Sequence, residues 1–108
     1  MNDQINTSEV FSFKEKVAYS SNGIVSKKII RKQSGDVSLF AFDKAQELSE
    51  HSAPYDALVQ VLEGKARIII GGTEYTVSSG ESVIMPANIP HAVKAIVAFK
   101  MLLTMIKD

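Results

Sequence analysis

A chain of 108 residues, 45% hydrophobic and 22% charged, has room for one domain over residues 1–108 and enough apolar side chains for its core, so disorder is excluded. Twelve Lys and Arg offset twelve Asp and Glu, and the resulting net charge of zero provides no electrostatic footprint for nucleic acid or an anionic membrane. The lack of cysteine excludes disulfides, thiolate metal sites and a Cys nucleophile, leaving nitrogen and oxygen as the donors for any metal.

Residues 1–10 are polar and lack the apolar core of a signal peptide, and no apolar run approaches the roughly 18 residues that a membrane helix needs. The expectation is a cytoplasmic protein with no membrane partner. Residues 1–9 show no periodicity and read as a flexible lead-in, with Thr7 or Ser8 capping a short turn. Phe11, Phe13 and Val17 are the first apolar anchors. After the turn cluster at residues 20–23, residues 24–31 are rich in β-branched side chains and read as a strand. Residues 37–42 follow the turn at 34–36 and carry apolar side chains on both faces, which predicts a strand buried on two sides or one whose outer face meets a partner.

Residues 43–49 include the helix formers Ala45, Gln46, Glu47 and Leu48. Turn signals recurring about every 8 to 12 residues elsewhere favour an extended connection within an all-β domain instead. The clearest hairpin spans residues 65–77, where Gly71 and Gly72 supply the two positive-φ positions of a tight turn. Pairing outward from it sets Ile70 against Thr73, Ile68 against Tyr75 and Ala66 against Val77, with the last two pairs on an inner face. Arg67 and Glu74 then lie diagonally on the outer face, placed for a weak exposed ion pair.

Residues 82–85 form another strand, and Pro86 and Pro90 bracket a loop that donates no backbone hydrogen bond at either proline. His91 opens the next strand on the same face as Val93 and Ala95, an apolar row. In the last strand, residues 98–106, Phe99, Met101, Leu103 and Met105 alternate with Lys100, Leu102, Thr104 and Ile106; the methionines there and Met85 read as core filler. The chain's two histidines, His51 and His91, therefore stand at the edges of strands.

Residues 45–96 resemble the cupin family, small β-barrels in which two motifs each supply ligands to a central metal. Counting back from Gly64, His51 takes the first histidine position of the first motif, Ala53 the second, Ala57 the glutamate position and Ala45 that of the leading glycine. In the second motif Gly80, Pro86 and His91 match, Asn88 stands in for a glycine, and Ala95 replaces the final asparagine. The resemblance implies an all-β fold, a cupin-type double-stranded β-helix (jelly-roll) barrel of two antiparallel sheets.

The same resemblance implies a divalent transition metal, with Zn, Fe, Mn and Ni not distinguished, held by His51 and His91. Both other ligand positions are alanine, so a third ligand would have to come from Asp56, Gln60 or Glu50. Pro54 interrupts the alternation after His51: if Ala57, Val59 and Val61 form the inward row, Asp56 and Gln60 point away, and if the other row is inward, both point in. The expected cavity wall comprises Ala53, Ala57, Val59, Val93, Ala95 and Met101.

The function implied is binding of a small, partly apolar molecule, with or without metal, by a homodimer that pairs through its N-terminal strands. The rival from another class is a metal-dependent enzyme, an oxygenase or isomerase, whose coordination is completed by water, substrate or an off-pattern carboxylate. An epimerase-type reaction would need a phenol acid, Tyr19, Tyr55 or Tyr75, beside a histidine base. The plainest reading is an apolar barrel in which two histidines hydrogen-bond to water. No Gly-x-Ser-x-Gly elbow or phosphate loop is present.

Overall fold

The computed structural model describes residues 5–107; part of the expected lead-in, residues 1–4, lies outside them. A one-turn helix α1 (Phe13–Lys16) precedes nine strands: β1 (Ile24–Lys32), β2 (Gly35–Phe42), β3 (Glu47–His51), β4 (Asp56–Glu63), β5 (Lys65–Ile70), β6 (Thr73–Ser78), β7 (Ser82–Met85), β8 (His91–Ala95) and β9 (Phe99–Ile106). They form a five-stranded sheet ordered β1-β2-β9-β4-β7 and a four-stranded sheet ordered β3-β8-β5-β6. Every strand pairing is antiparallel.

Period-2 alternation decides which side chains meet between the sheets. Ala57, Val59 and Val61 on β4 and Phe99 and Met101 on β9 are buried in the main core, facing Ala66, Ile68, Val93 and Ala95 of the four-stranded sheet. Of the two rows open for β4, the alanine-valine row is the inward one. Phe42 stacks on Phe99 with ring centroids 4.6 Å apart. Both rings are fully buried, and each removes enough apolar surface from water to contribute about 1.5 to 3 kcal/mol.

The β5-β6 hairpin has the expected register, Ile70 to Thr73, Ile68 to Tyr75 and Ala66 to Val77. Gly71 and Gly72 take φ of 56° and 83°. Arg67 Nε lies 3.4 Å from Glu74 Oε1 on the outside. Tyr75 departs from the inner-face expectation: it is 44% exposed, because β6 is the edge strand and the opposing sheet does not reach over it.

Residues 43–46 are extended or turn backbone leading into β3, not a helix. Ala45 adopts φ of 70°, which places the backbone where Ala45 N–H donates to the Ala95 carbonyl (2.9 Å) and Ala95 N–H to the Gln46 carbonyl (2.9 Å). Gly64, with φ of 79°, lies so close to β9 that an added Cβ would fall 2.2 Å from the Ala98 carbonyl oxygen.

The outer face of β2 is covered by the chain's own N-terminal segment. Val17, with Phe13 against it, packs on Leu39, Ala41 and Leu102 to form a second small core. Lys100 Nζ donates to the Lys14 carbonyl (2.7 Å) and Lys27 Nζ to that of Lys16 (3.2 Å), serving carbonyls that one helical turn leaves open. Thr7 and Ser8 form a turn, with Ser8 at φ of 63°.

Candidate functional site

His51 ends β3 and His91 begins β8, and the two are direct cross-strand partners. What lets His51 face inward is a bulge. Leu48 pairs with Val93 and His51 with His91, so three steps along β3 match two along β8. In a regular strand, positions three apart point to opposite faces; the extra residue puts Leu48 and His51 on the same one. The imidazole centroids stand 4.5 Å apart at an interplanar angle of 67°, edge to face.

Each ring is oriented by its own backbone. His51 Nδ1 donates to the Ser49 carbonyl at 2.9 Å, and His91 Nδ1 donates to the Ile89 carbonyl at 3.3 Å. A carbonyl oxygen only accepts, so Nδ1 carries the proton and, in the neutral ring, Nε2 holds the lone pair. His91 is 6% exposed. Burial lowers its pKa below the ordinary imidazole value and the neighbouring His51 lowers it further, outweighing the opposite effect of the Ile89 hydrogen bond. His91 is therefore neutral at pH 7, while His51 is on the exposed side of the pair.

The two rings share a cavity of about 150 Å³ between the sheets. Ala53, Ala57, Val93 and Met101 line it together with Phe40, Leu48, Met85, Leu103 and Met105. Met85 and Met105 read as filler from the sequence; Met85 is buried, Met105 partly so, and both reach the cavity. Val59 and Ala95 lie in the packed core beside it and are not among the residues that line the cavity. The two alanines at the missing ligand positions are Ala53 and Ala57, and both contribute to the open volume.

None of the three candidate third ligands joins the histidines. Asp56 and Gln60 occupy the β4 row opposite Ala57 and Val59, and Asp56 Oδ1 accepts from the Ala87 N–H at 2.9 Å. Glu50 is exposed and does not line the cavity. Among the described residues no group of three or more His, Cys, Asp or Glu is placed to hold a metal. Against the three protein ligands usual in a catalytic zinc or iron site, this chain offers two imidazole nitrogens. The donor set thus falls short of the centre that the resemblance implies.

The tyrosines do not supply an acid to the site. Tyr19 donates to Glu63 Oε2 at 2.7 Å, and burial together with that carboxylate raises its pKa. Tyr55 lies under Lys107 Nζ, 5.4 Å from the ring centroid, and Tyr75 is on the outer edge.

Two antiparallel sheets closing on an apolar cavity with an imidazole pair define a cupin-type double-stranded β-helix. The cupin-domain family pattern matches residues 38–106, and the chain belongs to this family. A conserved protein of unknown function from Streptococcus pyogenes is 36% identical over 96% of this chain and 91% of its own, with a TM-score of 0.92. A cupin 2 conserved barrel domain protein from Leptotrichia buccalis is 42% identical over 90% of this chain, with a TM-score of 0.88; the match spans 47% of that longer chain. A cupin superfamily protein from Desulfitobacterium hafniense, 22% identical over 96% of this chain and 95% of its own, shares the fold at a TM-score of 0.90. No curated protein matches. No helix among the described residues is long and apolar enough to cross a membrane.

Proposed function

We propose that the chain binds a small, uncharged, largely apolar molecule that brings a hydrogen-bond donor to Nε2 of His51 and His91. The observation that carries this reading is the pair of Nδ1–carbonyl bonds, which leaves each ring, in its neutral form, with an Nε2 acceptor on the side not held by the backbone. The size follows from the cavity: about 150 Å³ matches the engineered cavity that takes up benzene. The remaining wall is aliphatic, aromatic or thioether, which suits an apolar body. Phenol is the simplest probe with these properties. Isothermal titration with phenol should show saturable binding that His91→Ala abolishes; wild-type protein that takes up no phenol rejects the reading.

A second reading is favoured by the same tautomer. Carbonyl-anchored imidazoles presenting Nε2 are how metal-ligating histidines are commonly held, so a divalent transition metal bound by His51 and His91 is compatible with the pair. Water or ligand would have to complete its coordination, and an oxygenase or isomerase activity would depend on that metal. Metal analysis of protein isolated without chelator tests it: bound metal lost in both His51→Ala and His91→Ala supports it, and metal retained in both variants places the ion elsewhere.

We also propose a homodimer. With Leu39 and Ala41 covered by the N-terminal segment and Val37 packed against the same small core, the outer face of the five-stranded sheet is crossed by the row Ile30, Val37, Thr104, Leu58 and Ile84, apolar but for Thr104 and open at its two ends. Its ends, Ile30 and Ile84, are 52% and 60% exposed. Zero net charge leaves two copies free to approach.

A further inference from the structure

Three of the chain's four methionines, Met85, Met101 and Met105, line the cavity that holds His51 and His91. Two of them stand in a fixed relation to a motif position. Ala57, where the first cupin motif has its glutamate, pairs with Met85 across β4 and β7 and with Met105 across β4 and β9. Side chains directly opposite in a ladder share a face, so on the inner side of the sheet a thioether side chain flanks the short alanine at each hand. Neighbouring strands lie about 4.8 Å apart, which puts the two methionine backbones about 10 Å from each other with only the Ala57 methyl between them. The space that a glutamate carboxylate would take is thus bordered by two thioethers.

With both imidazoles in their neutral form, every donor that meets in this cavity is uncharged. Asp56, Gln60 and Glu50 lie outside it and the rest of its wall is apolar, so no carboxylate is at hand to offset a bound cation. The cost of taking an ion out of water rises with the square of its charge, which weighs against a divalent metal here and favours a monovalent one. Thioether sulfur is a soft ligand, and soft ligands select Cu(I). Packing alone does not call for sulfur: Leu103, between Met101 and Met105 on the inward row of β9, fills the same wall without it.

We infer that the cavity is a Cu(I) site whose donors are Nε2 of His51 and His91 and the thioethers of Met85 and Met105. This rests on the metal reading of the histidine pair and names a different ion for it. The two thioethers supply the donors that the two imidazoles lack, and they select a soft monovalent metal where a glutamate would serve a divalent one.

Anaerobic titration of the full chain with Cu(I), buffered by the chromophoric chelator bicinchoninate, reads the affinity, and zinc titrated in parallel reads the histidine pair without the thioethers. Wild-type protein should take up a single Cu(I) ion, and X-ray absorption should find both nitrogen and sulfur around it. Met85→Leu and Met105→Leu are changes of nearly equal volume, and metal-free protein carrying either should melt with the wild type. Each should weaken Cu(I) binding about tenfold, a loss of the size that even supporting residues around a metal cause, and should leave zinc uptake as it is in wild type. Equal Cu(I) affinity in wild type and both variants, a copper shell without sulfur, or a loss of Cu(I) matched by an equal loss of zinc overturns the inference and leaves the histidine reading standing. Zinc bound by wild type without uptake of Cu(I) does the same. Uptake of neither ion overturns the inference together with the metal reading of the pair.

Discussion

Leu48 and His51 face the same cavity although three positions separate them, because β3 carries one residue more than β8 between their partners Val93 and His91. The imidazole pair thus depends on a bulge as well as on the two histidines. Deleting Glu50 should restore regular alternation, turn His51 to the outside and break the 4.5 Å ring contact. Nuclear Overhauser contacts between the two rings, present in the parent and absent in the deletion, would register this; contacts that persist would mean that the bulge can move along the strand.

Two backbone positions of the cupin motifs make opposite predictions. Ala45 occupies φ of 70°, a region that costs a residue with a Cβ about 1 to 2 kcal/mol. Ala45→Gly should therefore stabilise the protein by about 1 kcal/mol, the gain being reduced by the greater freedom of glycine in the unfolded chain. Gly64→Ala adds a Cβ 2.2 Å from the Ala98 carbonyl oxygen at a φ of 79° and should cost at least about 3 kcal/mol. Urea unfolding of the two variants measures both effects.

Acid should weaken both the fold and the binding of a donor ligand through His91. Its folded pKa lies below the ordinary value because burial disfavours the charged ring. Between the folded and the ordinary value the unfolded chain holds more protons, so stability rises with pH through that window and is lost as pH falls through it. Over the same titration Nε2 changes from acceptor to donor, and phenol affinity should drop. Stability and phenol titrations across this range should fall together in wild type, and His91→Phe should lose the stability trend.

The exposed row that crosses the outer sheet predicts the consequence of a charge. Ile30→Glu or Ile84→Lys should convert a dimer to a monomer in light scattering while changing monomer stability by no more than about 0.5 kcal/mol. A wild-type protein that is already monomeric at micromolar concentration rejects the dimer.

How much of this could be read in the chain itself varies from residue to residue. Gly71 and Gly72 specified their hairpin's register because a two-residue turn leaves no freedom in pairing. The histidine pair was legible through motif spacing, and the alternation of β9 placed Met101 on the cavity wall. The bulge at β3 was not legible, since a single inserted residue leaves no mark in an alternation already interrupted by Pro54. Helix α1 was missed because a four-residue helix draws its stability from the sheet against which Phe13 packs. The same packing decides between the two readings open for residues 37–42, a strand buried on two sides or one whose outer face meets a partner: the N-terminal segment buries Leu39 and Ala41 on the outer face of β2. Ser38 went unremarked among strand residues, because alternation alone does not say whether a buried hydroxyl finds a partner; among the described residues its Oγ has none.

The central claim is that two imidazoles, each held through Nδ1, offer Nε2 to one ligand in one cavity. Long-range proton–nitrogen correlation spectra of the histidine side chains, recorded near pH 8 where a free imidazole is neutral and before and after addition of phenol, test it most directly. The account predicts Nδ1–H tautomers for both His51 and His91 and a shift of both Nε2 resonances on titration. An Nε2–H tautomer at either ring, or Nε2 signals that do not move with saturating phenol, would contradict it.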